Sequence, residues 1–287
     1  MYEQFYRLRE RPFTLTPDAT YLFLGRHHRH ALTMLEYTLM HAVGFALLTG
    51  EIGSGKTTLI RRLVKLADSK LAVTVLSNTH AGSGPLLPWV AQALGVPIAS
   101  RSPPEQYGAF VDHLAQAYVA GGRVVLIVDE AQNLDALKLE ELRVLSNVNA
   151  DKHMLLQTIL VGQPELRETL RRPDMRQLAQ RIAIDFHLGH LHGDETRAYV
   201  RHRLMVAGGS PDLIRADAVD LVHEHAGGVP RLINILCDTA LVYGFAEQQH
   251  QIDAELVRQV IAERRAGGLL PLAEAEPQLA RPPGVTA

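Results

Sequence analysis

A chain of 287 residues exceeds the usual single-domain size, and with 47% hydrophobic residues it can bury a substantial core, so one large domain and a smaller one is the natural division. Lys plus Arg total 29 against 31 Asp plus Glu, a formal charge of -2, which excludes an overall basic field for nucleic acid and leaves only local patches. The single cysteine excludes an intrachain disulfide and fits a reducing compartment, and no apolar run approaches the ~18 residues that cross a bilayer. The opening Met1 to Glu10 is charged and aromatic rather than signal-like, so the chain reads as soluble and cytoplasmic.

In chain order, Gly25-Arg26-His27-His28-Arg29-His30 is the first of two histidine clusters, with His187-Leu188-Gly189-His190-Leu191-His192 the second. Their short spacings could ligate a metal, but neither has cysteine partners or a matching second half, which argues against zinc. Phe45 to Leu48 is a short apolar run of buried-strand type. It leads into Gly50-Glu51-Ile52-Gly53-Ser54-Gly55-Lys56-Thr57, which fits the phosphate-loop pattern G-x-x-x-x-G-K-[ST] at every position. Leu59, Ile60, Leu63, Val64 and Ala67 then recur at helical spacing, so the loop joins a strand to a helix.

Glycines allow the backbone to wrap a polyphosphate, with amide N–H groups and the positive end of the next helix aimed at the anion. The expected ligand is ATP or another nucleoside triphosphate with Mg2+. Lys56 would reach the β- and γ-phosphates, Thr57 would offer its hydroxyl to magnesium, and Thr58 would lie near the α-phosphate. No guanine-specific Asn-Lys-x-Asp motif is visible.

Leu71 to Leu76 reads as a second strand, and Leu86 to Leu94 and Glu105 to Ala120 as helices, with Phe110, Leu114 and Tyr118 four apart. Val124 to Val128 is a run of five apolar, mostly β-branched residues, the pattern of a central parallel strand, and it ends in Asp129 and Glu130. Ligands of open α/β folds bind at the carboxyl ends of strands, which brings both carboxylates beside the phosphates. Asp129 is the expected magnesium holder, and Glu130 the group that orients the attacking water and accepts its proton. A helix over Leu137 to Val148 and strands over Leu155 to Val161 and Ile182 to Leu188 complete an alternating β/α series.

After Leu188 the strand signals stop. Asp194 to Val206, Asp217 to His225, Pro230 to Phe245 and Ala254 to Ala266 read as helices of a small all-helical domain, with Gly208-Gly209 and Gly227-Gly228 as stops. Cys237 falls in one of these apolar helical stretches and reads as packing. The expected domains are an α/β nucleotide-binding domain over 1–189, a helical lid over 190–266 and a disordered, proline-containing tail over 267–287.

The residues also carry a family likeness. The chain resembles AAA+ ATPases of the ExeA/GspA (general secretion pathway protein A) type over Met1 to Ala266. The likeness lies in Met1-Tyr2-Glu3-Gln4-Phe5-Tyr6 with Arg11-Pro12-Phe13-Thr14-Leu15-Thr16-Pro17-Asp18, in the phosphate loop, and in Asp129-Glu130-Ala131-Gln132-Asn133-Leu134. It continues in Glu141 to Asn147, Leu160-Val161-Gly162-Gln163-Pro164-Glu165-Leu166, Arg176 to Arg181, and Gly227-Gly228-Val229-Pro230-Arg231-Leu232-Ile233-Asn234. The resemblance implies a P-loop NTPase core with a five-stranded parallel sheet flanked by helices, plus a C-terminal helical lid.

It also implies roles. Gln163 looks like the sensor of the γ-phosphate or attacking water, Asn78 like the partner that restrains Glu130, and Arg231 like a second sensor that reaches the phosphates. Arg181 resembles the arginine finger supplied to a neighbouring subunit, with Arg176 the second candidate, and hence implies a homo-oligomeric ring or filament formed with ATP. The first histidine cluster falls just upstream of the helix leading to the phosphate loop, a region that in this family lies near the adenine.

Family members of this kind serve envelope machines for secretion or polysaccharide export. The chain looks more like the short soluble members associated with exosortase or exopolysaccharide loci, which implies an inner-membrane or envelope protein partner reached from the cytoplasm. A DNA-handling ATPase is the alternative, because transposition regulators of the Mu B and TniB kind share this core. Arg61, Arg62 and Lys65, or Arg197, Arg201 and Arg203, could face a phosphate backbone, but the near-neutral charge and absence of a basic arm weaken that reading. A nucleotide-dependent switch with little turnover is the third class.

Overall fold

The computed structural model describes residues 1–16, 18–68, 70–77, 84–98, 102–150 and 153–267. Asn78 and the expected tail beyond Gly267 lie outside the described residues. The chain divides into two compact units, one formed by Pro17–Gly189 and the other by Met1–Thr16 with His190–Ala287.

A short helix α1 (Tyr2–Phe5) opens the chain and belongs to the second unit. The first unit begins with α2 (Arg26–Met40), then β1 (Phe45–Gly50), α3 (Lys56–Leu66), β2 (Leu71–Leu76), α4 (Leu87–Ala93), α5 (Pro103–Val119) and β3 (Arg123–Val128). It continues through α6 (Ala136–Leu145), a small hairpin of β4 (Asn149–Ala150) and β5 (His153–Met154), β6 (Leu156–Gly162), α7 (Pro164–Arg171), α8 (Arg176–Ala179) and β7 (Ile182–Leu188). Five strands form one parallel sheet in the order β2-β3-β6-β1-β7.

The three inner strands are apolar because both of their faces are covered. Every residue of β1 and β6 is buried, as are Val124 to Val128 of β3. Successive residues alternate between two cores: Phe45, Leu47, Val124, Leu126 and Val128 pack on one face, and Ala46, Leu48, Val125 and Ile127 on the other. Leu59, Ile60 and Leu63 of α3 with Leu32, Leu35 and Leu39 of α2 cover the second face; Phe110 and Leu114 of α5 with Leu139 and Leu142 of α6 cover the first. Strands β2 and β7 stand at the edges and are only partly buried.

Local signals set the helix ends. Asp135 caps α6 by accepting from the Lys138 amide at 2.8 Å, two residues before the helix the sequence pattern marks. Ser102 precedes Pro103-Pro104 at the start of α5, and its amide donates to Glu105 at 2.8 Å. The helix expected to reach Val148 stops at Leu145. There Ser146 turns its hydroxyl to Leu142 O and to Thr158 Oγ1, both at 2.9 Å, and the chain enters the β4–β5 hairpin.

The second unit holds α9 (Gly193–Val206), α10 (Ala216–Ala226), α11 (Pro230–Ala246) and α12 (Ala254–Gly267). Gly227 ends α10 in the left-handed region at φ 57. Met1–Thr16 groups with these helices, not with the α/β unit expected from the sequence. The cause is buried and polar anchoring together: Tyr2, Tyr6 and Phe13 are buried, Arg11 pairs with Asp238 of α11 at 2.7 Å, and Arg203 of α9 donates to the carbonyls of Pro12 and Thr14. Cys237 is fully buried in α11, and burial pushes its thiol pKa well up. Among the described residues no helix is long and apolar enough to cross a membrane.

Candidate functional site

The phosphate loop spans the exit of β1 and the start of α3, so its geometry follows from strand, turn and helix in succession. Gly53 and Gly55 adopt φ 80 and 101, a region that side chains disfavour, and a Cβ on Gly55 would also meet His28 Nε2 at 3.0 Å. Helix α3 starts at Lys56, so its first amides face the loop that Gly50 to Gly55 encloses. Glu51 and Ile52 are exposed on the loop, while Ser54 is fully buried within it.

Lys56 is buried, and its Nζ donates to Gly50 O at 2.6 Å and Glu51 O at 2.9 Å. Burial lowers the pKa of its ammonium, an effect that the nearby Glu130 and Asp129 oppose. Thr57 donates to Asp129 Oδ2 at 3.1 Å, which joins the helix start to the exit of β3. Asp129 is 5% exposed, and burial raises its pKa against the lowering effect of the Glu130 amide and Thr57 hydroxyl. Thr58 follows in the first turn of α3.

These residues fit magnesium on their own chemistry. A hydroxyl and a buried carboxylate supply hard oxygen donors side by side, and a cation would relieve the cost that burial places on the Asp129 charge. Glu130 sits at φ 54 in the left-handed region, uncommon for a residue with a side chain and a form of strain that gathers at functional sites. Its Oε2 accepts from Gln132 Nε2 at 2.6 Å, and Gln163 Nε2 stands 3.5 Å away. Gln163 caps α7 directly after β6, so the exits of β3 and β6 meet at Glu130.

The structure thus gathers Gly50 to Thr57, Asp129, Glu130 and Gln163. Other expected site residues stand differently. Arg181 donates to Arg143 O at 3.2 Å and Asn147 Oδ1 at 3.1 Å within its own chain, whereas Arg176 is exposed and, among the described residues, makes no side-chain bond. Arg231 lies in the first turn of α11, in the helical unit. The first histidine cluster forms the opening turn of α2, correcting its expected place upstream of a helix.

Three features went unread in the sequence. His28 is buried and donates through Nε2 to Ser54 O at 2.9 Å, bracing the loop from behind. Arg167 of α7 donates to Thr49 Oγ1 at 2.7 Å and pairs with Asp185, while His187 Nδ1 lies 3.1 Å from the same hydroxyl. Gln132 bonds both acid and sensor strand, and its position two residues after Glu130 is the one signal that could have drawn attention to it. Among the described residues no group of three His, Cys, Asp or Glu is gathered to hold a metal; His187 faces Thr49 and His192 caps α9.

The two basic clusters differ, and only the one on α9 is paired with acids. Arg197 pairs with Asp220 and Arg201 with Asp212, each at 2.6 Å, and Arg203 is buried. Arg61, Arg62 and Lys65 are exposed on α3.

A phosphate loop between a parallel strand and a helix, with an acidic pair at the exit of β3 and a polar residue at the exit of β6, defines a P-loop nucleotide-binding protein. Residues 40–170 match the AAA domain family. Over 253 residues the chain is 41% identical to general secretion pathway protein A of Aeromonas hydrophila, covering 88% of this chain and 46% of that protein. Residues 40–170 thus carry an AAA domain, and the likeness to general secretion pathway protein A extends beyond it on both sides. It spans about half the length of that curated relative.

Solved structures agree on the fold. Cdc6p of Pyrobaculum aerophilum superposes with a TM-score of 0.67 at 18% identity, covering 88% of this chain and 70% of that one. The ORC2 protein of Aeropyrum pernix, solved as ADPNP-ADP complexes, gives 0.65 at 20%, covering 88% and 71%.

Proposed function

We propose that the chain is a magnesium-dependent ATPase that couples its nucleotide state to self-assembly and to remodelling of an envelope protein partner in bacterial secretion or exopolysaccharide export. The observation that carries this reading is the meeting of Lys56, Thr57, Asp129, Glu130 and Gln163 at the carboxyl ends of β1, β3 and β6. The relative's name as a secretion pathway protein supports the setting. On this reading the protein works at the cytoplasmic face of the inner membrane through its partner.

In the proposed reaction, water attacks the γ-phosphorus, the bond to the bridging oxygen of ADP breaks, and Glu130 takes the proton from water. Lys56 and the amides of Gly53 to Thr58 hold the phosphates, and Gln163 orients the water or the γ-phosphate. Magnesium, held by Thr57 and Asp129, would neutralise charge on the phosphate oxygens. Asn78 and Arg231 are assigned on the family pattern, as restraint on Glu130 and second sensor respectively.

An arginine from a neighbouring copy would stabilise the transition state, worth about 1,000-fold or more in rate. Arg176 needs no bond broken to serve a neighbour; Arg181 must leave Arg143 and Asn147. The test is ATP turnover of the wild type against Lys56→Ala and Glu130→Gln, with sizing of Glu130→Gln in ATP. Expected are hydrolysis lost in both variants and an ATP-dependent oligomer of Glu130→Gln. A strictly monomeric, ATP-bound Glu130→Gln protein would remove the assembly part.

A further inference from the structure

One side chain links the acid to the sensor strand. Gln132 lies in the short turn Ala131–Asn133 after β3, donates through Nε2 to Glu130 Oε2 at 2.6 Å and accepts through Oε1 from the Gln163 backbone amide at 3.1 Å. A carboxamide carries donor and acceptor on one rigid plane, so fixing its oxygen on Gln163 aims its nitrogen at Glu130. The local backbone does not favour the conformation of Glu130, which leaves these side-chain partners to set the direction of its carboxylate.

A second observation shows that space was kept for this amide. A Cβ on Gly162 would lie 2.8 Å from Gln132 Oε1 and 2.9 Å from Leu166 Cδ2, closer than such atoms approach. Gly162 is not among the glycines of positive φ, so what its missing side chain leaves is room, shared by the Gln132 carboxamide and backbone amide and by Leu166, and not an unusual backbone. Glycine at the last residue of β6 and glutamine two residues after the β3 acids form one fitted contact.

Resting on the ATPase reading above, we propose that Gln132 is a positioning residue that ties the Glu130 carboxylate to the peptide at the exit of β6. A shift of Gln163 on meeting the γ-phosphate is then passed to the group that accepts the proton of water through the Gln132 amide, a shorter link than the direct 3.5 Å approach of Gln163 Nε2. On this proposal Gln132 acts through Glu130 and not on the nucleotide. Its loss therefore falls on the chemical step and spares binding.

The test is steady-state ATP hydrolysis together with Mg-ATP affinity on the same preparations of the full chain. Gln132→Met fills the space without an amide; Gly162→Ala pushes the amide away while leaving Gln132, Glu130 and Gln163 in place. Expected is a loss in kcat of about 10- to 100-fold for Gln132→Met, the scale of a slightly misdirected catalytic group, with the affinity for Mg-ATP changed by less than about twofold. Gly162→Ala should show the same kcat-only loss, and Gln132→Met combined with Gln163→Ala should cost less than the product of the single losses. Turnover at the wild-type rate or faster in Gln132→Met, or a loss confined to affinity, would overturn the proposal. A wild type whose hydrolysis is absent or insensitive to Lys56→Ala would sink the ATPase reading itself, a result distinct from an indifferent Gln132.

Discussion

The two units use a buried cation differently. In the helical unit Arg203 is spent on structure: it donates to Pro12 O, Thr14 O and the Tyr199 hydroxyl, and Tyr199 donates to Asn234, while nearer the surface Asp238 receives both Tyr2 and Arg11. In the α/β unit Lys56 rests on two backbone carbonyls with its pKa pushed down by burial, and Asp129 is pushed up by the same cause. A satisfied network holds structure, whereas charges driven toward neutrality at strand ends await a ligand that will favour their charged forms.

This contrast can be broken by mutation at either end. Replacing Lys56 with alanine should give the largest effect, a fall in ATP turnover of at least about 1,000-fold on the scale set by charge stabilisation in phosphoryl transfer, measured by phosphate release. Glu130→Gln should retain Mg-ATP binding and lose about 100- to 10,000-fold in kcat, the range for a proton-accepting group. Arg203→Leu, by comparison, should lower unfolding free energy by about 3 kcal/mol, because the buried oxygens it serves lose their donor. Denaturant melts would register that loss, with the affinity of the folded protein for nucleotide unchanged.

The pKa shifts sharpen the comparison further. Asp129 holds its proton to higher pH in the folded protein than in the unfolded chain, so its contribution to apo stability is full below the ordinary Asp range and is lost as pH rises through the raised value. Lys56 is depressed, so in the window just below the usual Lys value the unfolded chain binds more protons and apo stability rises with pH. Asp129→Asn should therefore raise the apo Tm at neutral pH while removing magnesium-supported turnover. Thermal melts from pH 4 to 8 would show the wild type losing stability relative to this variant as pH rises.

The inner strands were legible because burial on both faces leaves an unbroken apolar run, as in Val124 to Val128, and the phosphate loop because its glycines and lysine stand at fixed spacing. What the pattern could not give was tertiary. Nothing local distinguishes His28 from its neighbours His27 and His30, yet the pitch of α2 buries it against Ser54. The placement of Met1–Thr16 follows from Arg11 and Pro12 meeting residues some 190 or more positions away, which no window of sequence contains. The β4–β5 hairpin was hidden because two-residue strands leave no alternation to read, and Leu137 to Val148 kept a helical spacing past the true end at Leu145.

Titration calorimetry of Mg-ATP into the wild type and Lys56→Ala, at matched pH, addresses the buried cation and acid together. Saturable one-to-one binding by the wild type, with affinity at least about 100-fold weaker in Lys56→Ala, is the predicted result. Wild-type protein that is folded and takes up no Mg-ATP, or a Lys56→Ala protein that binds it equally well, would contradict the account.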